Sequence, residues 1–118
     1  MFAVITPAQS LPKIELKQVF PNLQIDRLVW MSEAPDGSEQ FFAVGQAGKI
    51  LVFKKDSDGG NAKEFLNIEN RNPYFENEDG LMSIAFHPGF KTNGLFYIYS
   101  RIISLFLFGQ PPQYHQYE

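Results

Sequence analysis

Glu76, Glu78 and Asp79 fall within four consecutive positions, inside a polar stretch that runs from Asn70 to Gly80. Three carboxylates so close supply hard oxygen ligands for a divalent cation, or one charged wall of a polar cleft. A charge run of this kind is equally the signature of a solvated loop between strands. Its spacing does not follow the helix–loop–helix calcium pattern. Asp56-Ser57-Asp58-Gly59 fails the same pattern, lacking a third ligand and a downstream Glu in register. His87 is followed by Pro88, and a general base needs a placed partner that the neighbouring residues do not offer. It reads as a hydrogen-bonded turn residue. His115 lies in an irregular tail and is given no role. None of the serines stands in a G-x-S-x-G elbow, and Gly45-Gln46-Ala47-Gly48-Lys49 is too short for a phosphate-binding loop.

The elements that would position these groups are strands. The length of 118 residues favours one domain, and 44% hydrophobic with 15% aromatic residues is not a disordered composition. A net charge of −3 gives no electrostatic case for nucleic acid or an anionic membrane. With no cysteine there is no disulfide framework, thiolate nucleophile or Cys-based zinc site. No apolar run approaches the ~18 residues of a spanning helix. Residues 1–12 read as an N-terminal tail or signal-peptide remnant, because Ala8-Gln9-Ser10 resembles a small-residue cleavage site.

From there the pattern is strand and turn. Lys13–Phe20 alternates apolar and polar residues and predicts an edge strand, ended by Pro21-Asn22. Asp26–Met31, Phe41–Val44, Lys49–Lys54 and Glu64–Ile68 predict four more, separated by Pro, Gly and Asp-rich turns. Trp30 and the Phe and Tyr rows are read as core. Leu81–Phe86 is apolar or small on both alternating faces, which predicts a strand covered on both sides. His87-Pro88-Gly89 ends it, and Leu95–Tyr99 follows as the next strand. Ile102–Phe108 is a further strand candidate, and 109–118 reads as an irregular tail. Leu28 and Leu81, and likewise Pro35 and Pro88, stand 53 residues apart, so strand, Pro-turn, strand occurs twice. Propeller blades, each four antiparallel strands, repeat at about 40–50 residues.

The run from Asp79 through Ala85-Phe86-His87-Pro88-Gly89-Phe90 to Asn93-Gly94-Leu95-Phe96-Tyr97-Ile98-Tyr99 resembles a signature segment of the glucose/sorbosone dehydrogenase family. Phe41–Ile50 is similar to that family's strand pair upstream, and Phe65-Leu66-Asn67-Ile68 to its "FLDI" strand. The resemblance covers residues 13–104. One departure is Gly89, where the family usually has Asp, and Leu105–Glu118 no longer follows the family.

The resemblance implies an all-β chain that forms about the first two blades of a six-bladed propeller, over residues 13–108. Soluble quinoprotein aldose dehydrogenases of this family use pyrroloquinoline quinone with calcium. A histidine takes the proton of the sugar C1 hydroxyl and the quinone takes the hydride. The catalytic histidine motif, calcium ligands and quinone-contacting arginine lie downstream in the family, so no catalytic or metal residue is assigned here. His87 matches the family's structural histidine. Glu78 matches a position that faces the cofactor cavity, which makes it the one cofactor-binding candidate. By the same resemblance the parent protein is periplasmic or secreted and works with a sugar and an external electron acceptor. The shortened chain, cut by a frameshift, early stop or gene-model error, is expected to be inactive alone and to self-associate through uncovered blade faces. The alternative is a non-catalytic propeller that binds carbohydrate or protein.

Overall fold

The computed structural model describes residues 10–71 and 78–101, together with the backbone of Gln116–Tyr117. Its regular structure is almost entirely antiparallel sheet. Four strands, β1 (Leu28–Glu33), β2 (Gln40–Gly45), β3 (Lys49–Lys54) and β4 (Lys63–Asn67), form a meander in the order β1-β2-β3-β4. β5 (Gly80–Phe86), β6 (Phe96–Arg101) and β7 (Gln116–Tyr117) form a second sheet in chain order. The only helix among the described residues is one turn, α1 (Phe90–Asn93), between β5 and β6. It ends at Gly94, whose φ of 67° is a left-handed conformation that glycine adopts without a Cβ penalty.

Both sheets open with the repeated unit seen in the sequence. β1 and β2 pair around the Ala34–Glu39 turn, where Asp36 accepts a hydrogen bond from the Ser38 N–H at 2.9 Å. β5 and β6 pair around the His87–Leu95 turn. In β2 and β3 the pairs Phe42↔Val52 and Val44↔Ile50 alternate with Phe41↔Phe53 and Ala43↔Leu51. Alternate residues therefore line opposite faces. On the first face Phe42, Val44 and Ile50 join Ile68, Leu81, Ile84, Phe96 and Ile98 in one core that spans both sheets. Edge-on ring contacts stitch it: Phe42 lies 4.8 Å from Phe65 and 4.9 Å from Phe86, centroid to centroid. On the other face Phe20 packs 4.9 Å from Phe53 and 5.8 Å from Phe41. The Asn22 N–H and side-chain amide both donate to Asp58, at 3.0 and 2.7 Å, pinning this entry segment to the β3–β4 turn. Gly59, at φ 87°, lies under Leu23, and a Cβ there would come within 2.9 Å of the Leu23 nitrogen.

Four expectations are corrected. Lys13–Phe20 forms no strand; Ile14 and Leu16 are 85% and 96% exposed, because no sheet edge among the described residues lies alongside. β5 is covered on one face only. A bulge after Leu81 places Leu81 and Ile84 in the core, while Ala85 and its neighbours Tyr97 and Tyr99 on β6 are exposed. The strands covered on both faces are β2 and β3, which have Phe20 on one side and the second sheet on the other. Trp30 is 47% exposed rather than core, since β1 is an edge strand. Gln116–Tyr117, in the stretch read as irregular, pair with Phe96 and Tyr97. The strand expected at Ile102–Phe108 lies outside the described residues.

Candidate functional site

The polar residues converge where the β2–β3 turn meets the start of β5. Gln46 leaves β2 at the apolar seam between the sheets and is 2% exposed, so its amide must be satisfied locally. Its Nε2 donates to the Asp79 carbonyl at 2.7 Å, and its Oε1 accepts from the Arg27 Nε at 2.7 Å. Its backbone is tied at both ends: the Gln46 N–H donates to the Arg27 carbonyl at 3.1 Å, and the Leu81 N–H donates to the Gln46 carbonyl at 2.9 Å. Arg27 has a φ of 47°, a left-handed conformation that costs a non-glycine residue about 1–2 kcal/mol. The two bonds to Gln46 hold it there. One glutamine side chain and its backbone thus lock the first sheet to the first strand of the second.

Asp79 follows directly. Its side chain is fully buried, and neither carboxylate oxygen has a hydrogen-bond partner among the described residues. Glu78, one position earlier, does the opposite. Its side chain is 78% exposed and accepts a hydrogen bond from the Arg101 guanidinium at 2.7 Å, at the far end of the β5–β6 pair. That hydrogen bond, with the added charges of Glu78, Asp79 and Tyr99, holds the Arg101 pKa above its ordinary value.

The cofactor-cavity candidate Glu78 therefore stands in an exposed ion pair beside a buried carboxylate. His87 sits in the turn it was assigned to. Its Nδ1 accepts from the Gly89 N–H at 2.9 Å and lies 2.9 Å from the Asn93 amide nitrogen. Asp58 spends its oxygens on the Gly60 N–H and Asn22, not on a cation. Among the described residues no three His, Cys, Asp or Glu side chains come together as a metal cage. Asn72, Glu76 and Asn77 of the acidic stretch lie outside the described residues. Sequence reasoning missed Gln46, Arg27 and Arg101. The available signal was a glutamine two residues after the apolar run Phe41–Val44, where a buried strand end would leave its amide needing partners.

No protein-family model matches the chain. It is 38% identical over 72 residues to the HIPL2 protein of Arabidopsis thaliana, a match that covers 53% of this chain and 10% of that protein. The chain thus spans about a tenth of the length of this curated relative.

Proposed function

We propose that this chain is the N-terminal part of a six-bladed propeller whose complete form is a quinoprotein sugar dehydrogenase, and that the 118 residues are inactive alone. The observation that carries the propeller is the arrangement of sheets. A four-stranded antiparallel meander packs face to face on the sheet that follows it, joined through Gln46. The outer face of that second sheet presents Ala85, Tyr97 and Tyr99 as though for another layer. Radial repetition of such sheets is how propellers bury their blades. Similarity to HIPL2 is compatible with this reading and does not carry it.

The dehydrogenase rests on the resemblance of residues 79–99 to the quinoprotein family. The described residues do not by themselves fit pyrroloquinoline quinone: Glu78 faces solvent against Arg101, with no enclosing set of donors. In the complete protein the quinone would supply the hydride acceptor and calcium would support it. This chain's part is to build the first wall of the ring. The test is to express the complete gene product and reconstitute it with pyrroloquinoline quinone and calcium. Dye reduction is then followed on a panel of aldoses. Turnover that requires both additions is expected; none across the panel retires the dehydrogenase.

The second reading is a non-catalytic propeller that binds carbohydrate or protein. A complete protein that binds sugars in calorimetry without reducing dye decides for it.

A further inference from the structure

We propose that Asn93 is a modification site, deamidated through a cyclic imide with Gly94, and that the β5–β6 turn gates the reaction. The inference stands apart from the propeller and dehydrogenase readings. Asn93-Gly94 is the only Asn-Gly pair in the chain, and both residues are exposed. Glycine carries no Cβ to shield the attacking nitrogen. In the reaction the Gly94 nitrogen bonds to the Asn93 Cγ, the Cγ–Nδ2 bond breaks, and the Gly94 proton leaves with Nδ2 as ammonia. Water then opens the imide at either carbonyl, giving aspartate or isoaspartate with no change of oxidation state. In the folded turn each reacting group is held. The Gly94 N–H donates to the Phe90 carbonyl at 2.8 Å, and the Asn93 N–H to the Gly89 carbonyl at 3.0 Å. The Asn93 Oδ1 accepts from the Leu95 N–H at 2.9 Å, and its Nδ2 lies 2.9 Å from the His87 Nδ1. The nucleophile is thus engaged, and the amide is fixed at both ends. Attack requires α1 to open. That helix is a single turn with no buried residue and no side-chain cap, so it opens at less cost than the sheets do. After conversion the turn cannot close as before. A carboxylate has no N–H to offer the His87 Nδ1. Isoaspartate also lengthens the backbone inside the loop that the His87 N–H closes on the Leu95 carbonyl at 3.1 Å.

The experiment incubates the full chain at mildly alkaline pH, with and without denaturant, and follows conversion at Asn93 by peptide mass and isoaspartate labelling. His87→Ala removes the contact that fixes the amide. Val44→Ala weakens the core of the first sheet without touching the turn. Conversion at Asn93 is expected to be at least about tenfold slower in the folded chain than in denaturant. His87→Ala should speed the folded reaction about fivefold, and Val44→Ala distinctly less. No conversion at Asn93 in denaturant overturns the site. Equal rates with and without denaturant overturn the gate. So does equal acceleration by Val44→Ala and His87→Ala, because the reaction would then run through global unfolding. Should circular dichroism show His87→Ala unfolded, hydrogen exchange of the wild-type Gly94 amide decides. Exchange well ahead of the β2 and β3 amides supports the gate, and exchange together with them overturns it.

Discussion

Two hydrogen-bond donors converge on one ring nitrogen of His87, the Gly89 N–H and the Asn93 amide. A ring nitrogen that accepts from both closes the turn between β5 and β6 across α1. Truncation to alanine strands those donors, although both can turn to water in this partly exposed site. His87→Ala is therefore expected to destabilise the chain by about 1–2 kcal/mol, read as a lower urea midpoint with unchanged slope. A pH dependence comes from Asp58. The Gly60 N–H, then the Asn22 amide, hold its pKa below the ordinary 3.8. Because the folded value is the lower one, the stabilisation is complete above the unfolded pKa. It is lost as the pH falls from about 4 through the folded value. Asp58→Asn should flatten that acid limb of the stability curve, measured by denaturation at a series of pH values. An unchanged limb would mean that the Asn22 contact is not maintained in solution.

At the scale of elements, the strands are fixed by alternation and the sheets by what their faces meet. Leu81 is completely buried between the sheets, whereas Leu16 is 96% exposed in the arm that precedes Phe20. Leu81→Ala should cost about 2–5 kcal/mol, through lost burial and the cavity it leaves. Leu16→Ala should change stability by less than about 0.5 kcal/mol. Paired urea titrations compare them, and a large effect at Leu16 would show that the arm docks after all. The strand predicted at Lys13–Phe20 had the right alternation and lacked a neighbour. β-propensity expresses the fit of a side chain to a pleated, half-buried surface, and no such surface adjoins Ile14 and Leu16 among the described residues.

For the whole molecule, two packed sheets leave one broad face and one edge uncovered. Ala85, Tyr97 and Tyr99 stand exposed on the second sheet, and Leu28, Val29 and Trp30 on edge strand β1 of the first. Exposed apolar strands of this kind are templates for pairing with another chain. The isolated chain is expected to sediment as dimers or larger species at micromolar concentration, and the double variant Tyr97→Lys/Tyr99→Lys to shift it towards monomer. A compact, cooperatively unfolding wild-type monomer would show that these two sheets suffice as a fold, and would remove the main support for a larger ring.

The sequence by itself determined the strands β1 to β6, their turns and the 53-residue recurrence, because side-chain period and turn chemistry are local properties. It also placed His87 in a turn, since proline and glycine on its C-terminal side leave little else. Only the tertiary structure decided which strands are covered on both faces, that Trp30 is exposed, and that Gln46 meets Asp79 across 33 residues of chain. Glu78 and Asp79 are adjacent and chemically alike, yet one lies in water and the other is enclosed. Their difference is made by residues distant in the chain, Gln46 and Arg101, and burial set by such partners leaves no trace in local spacing.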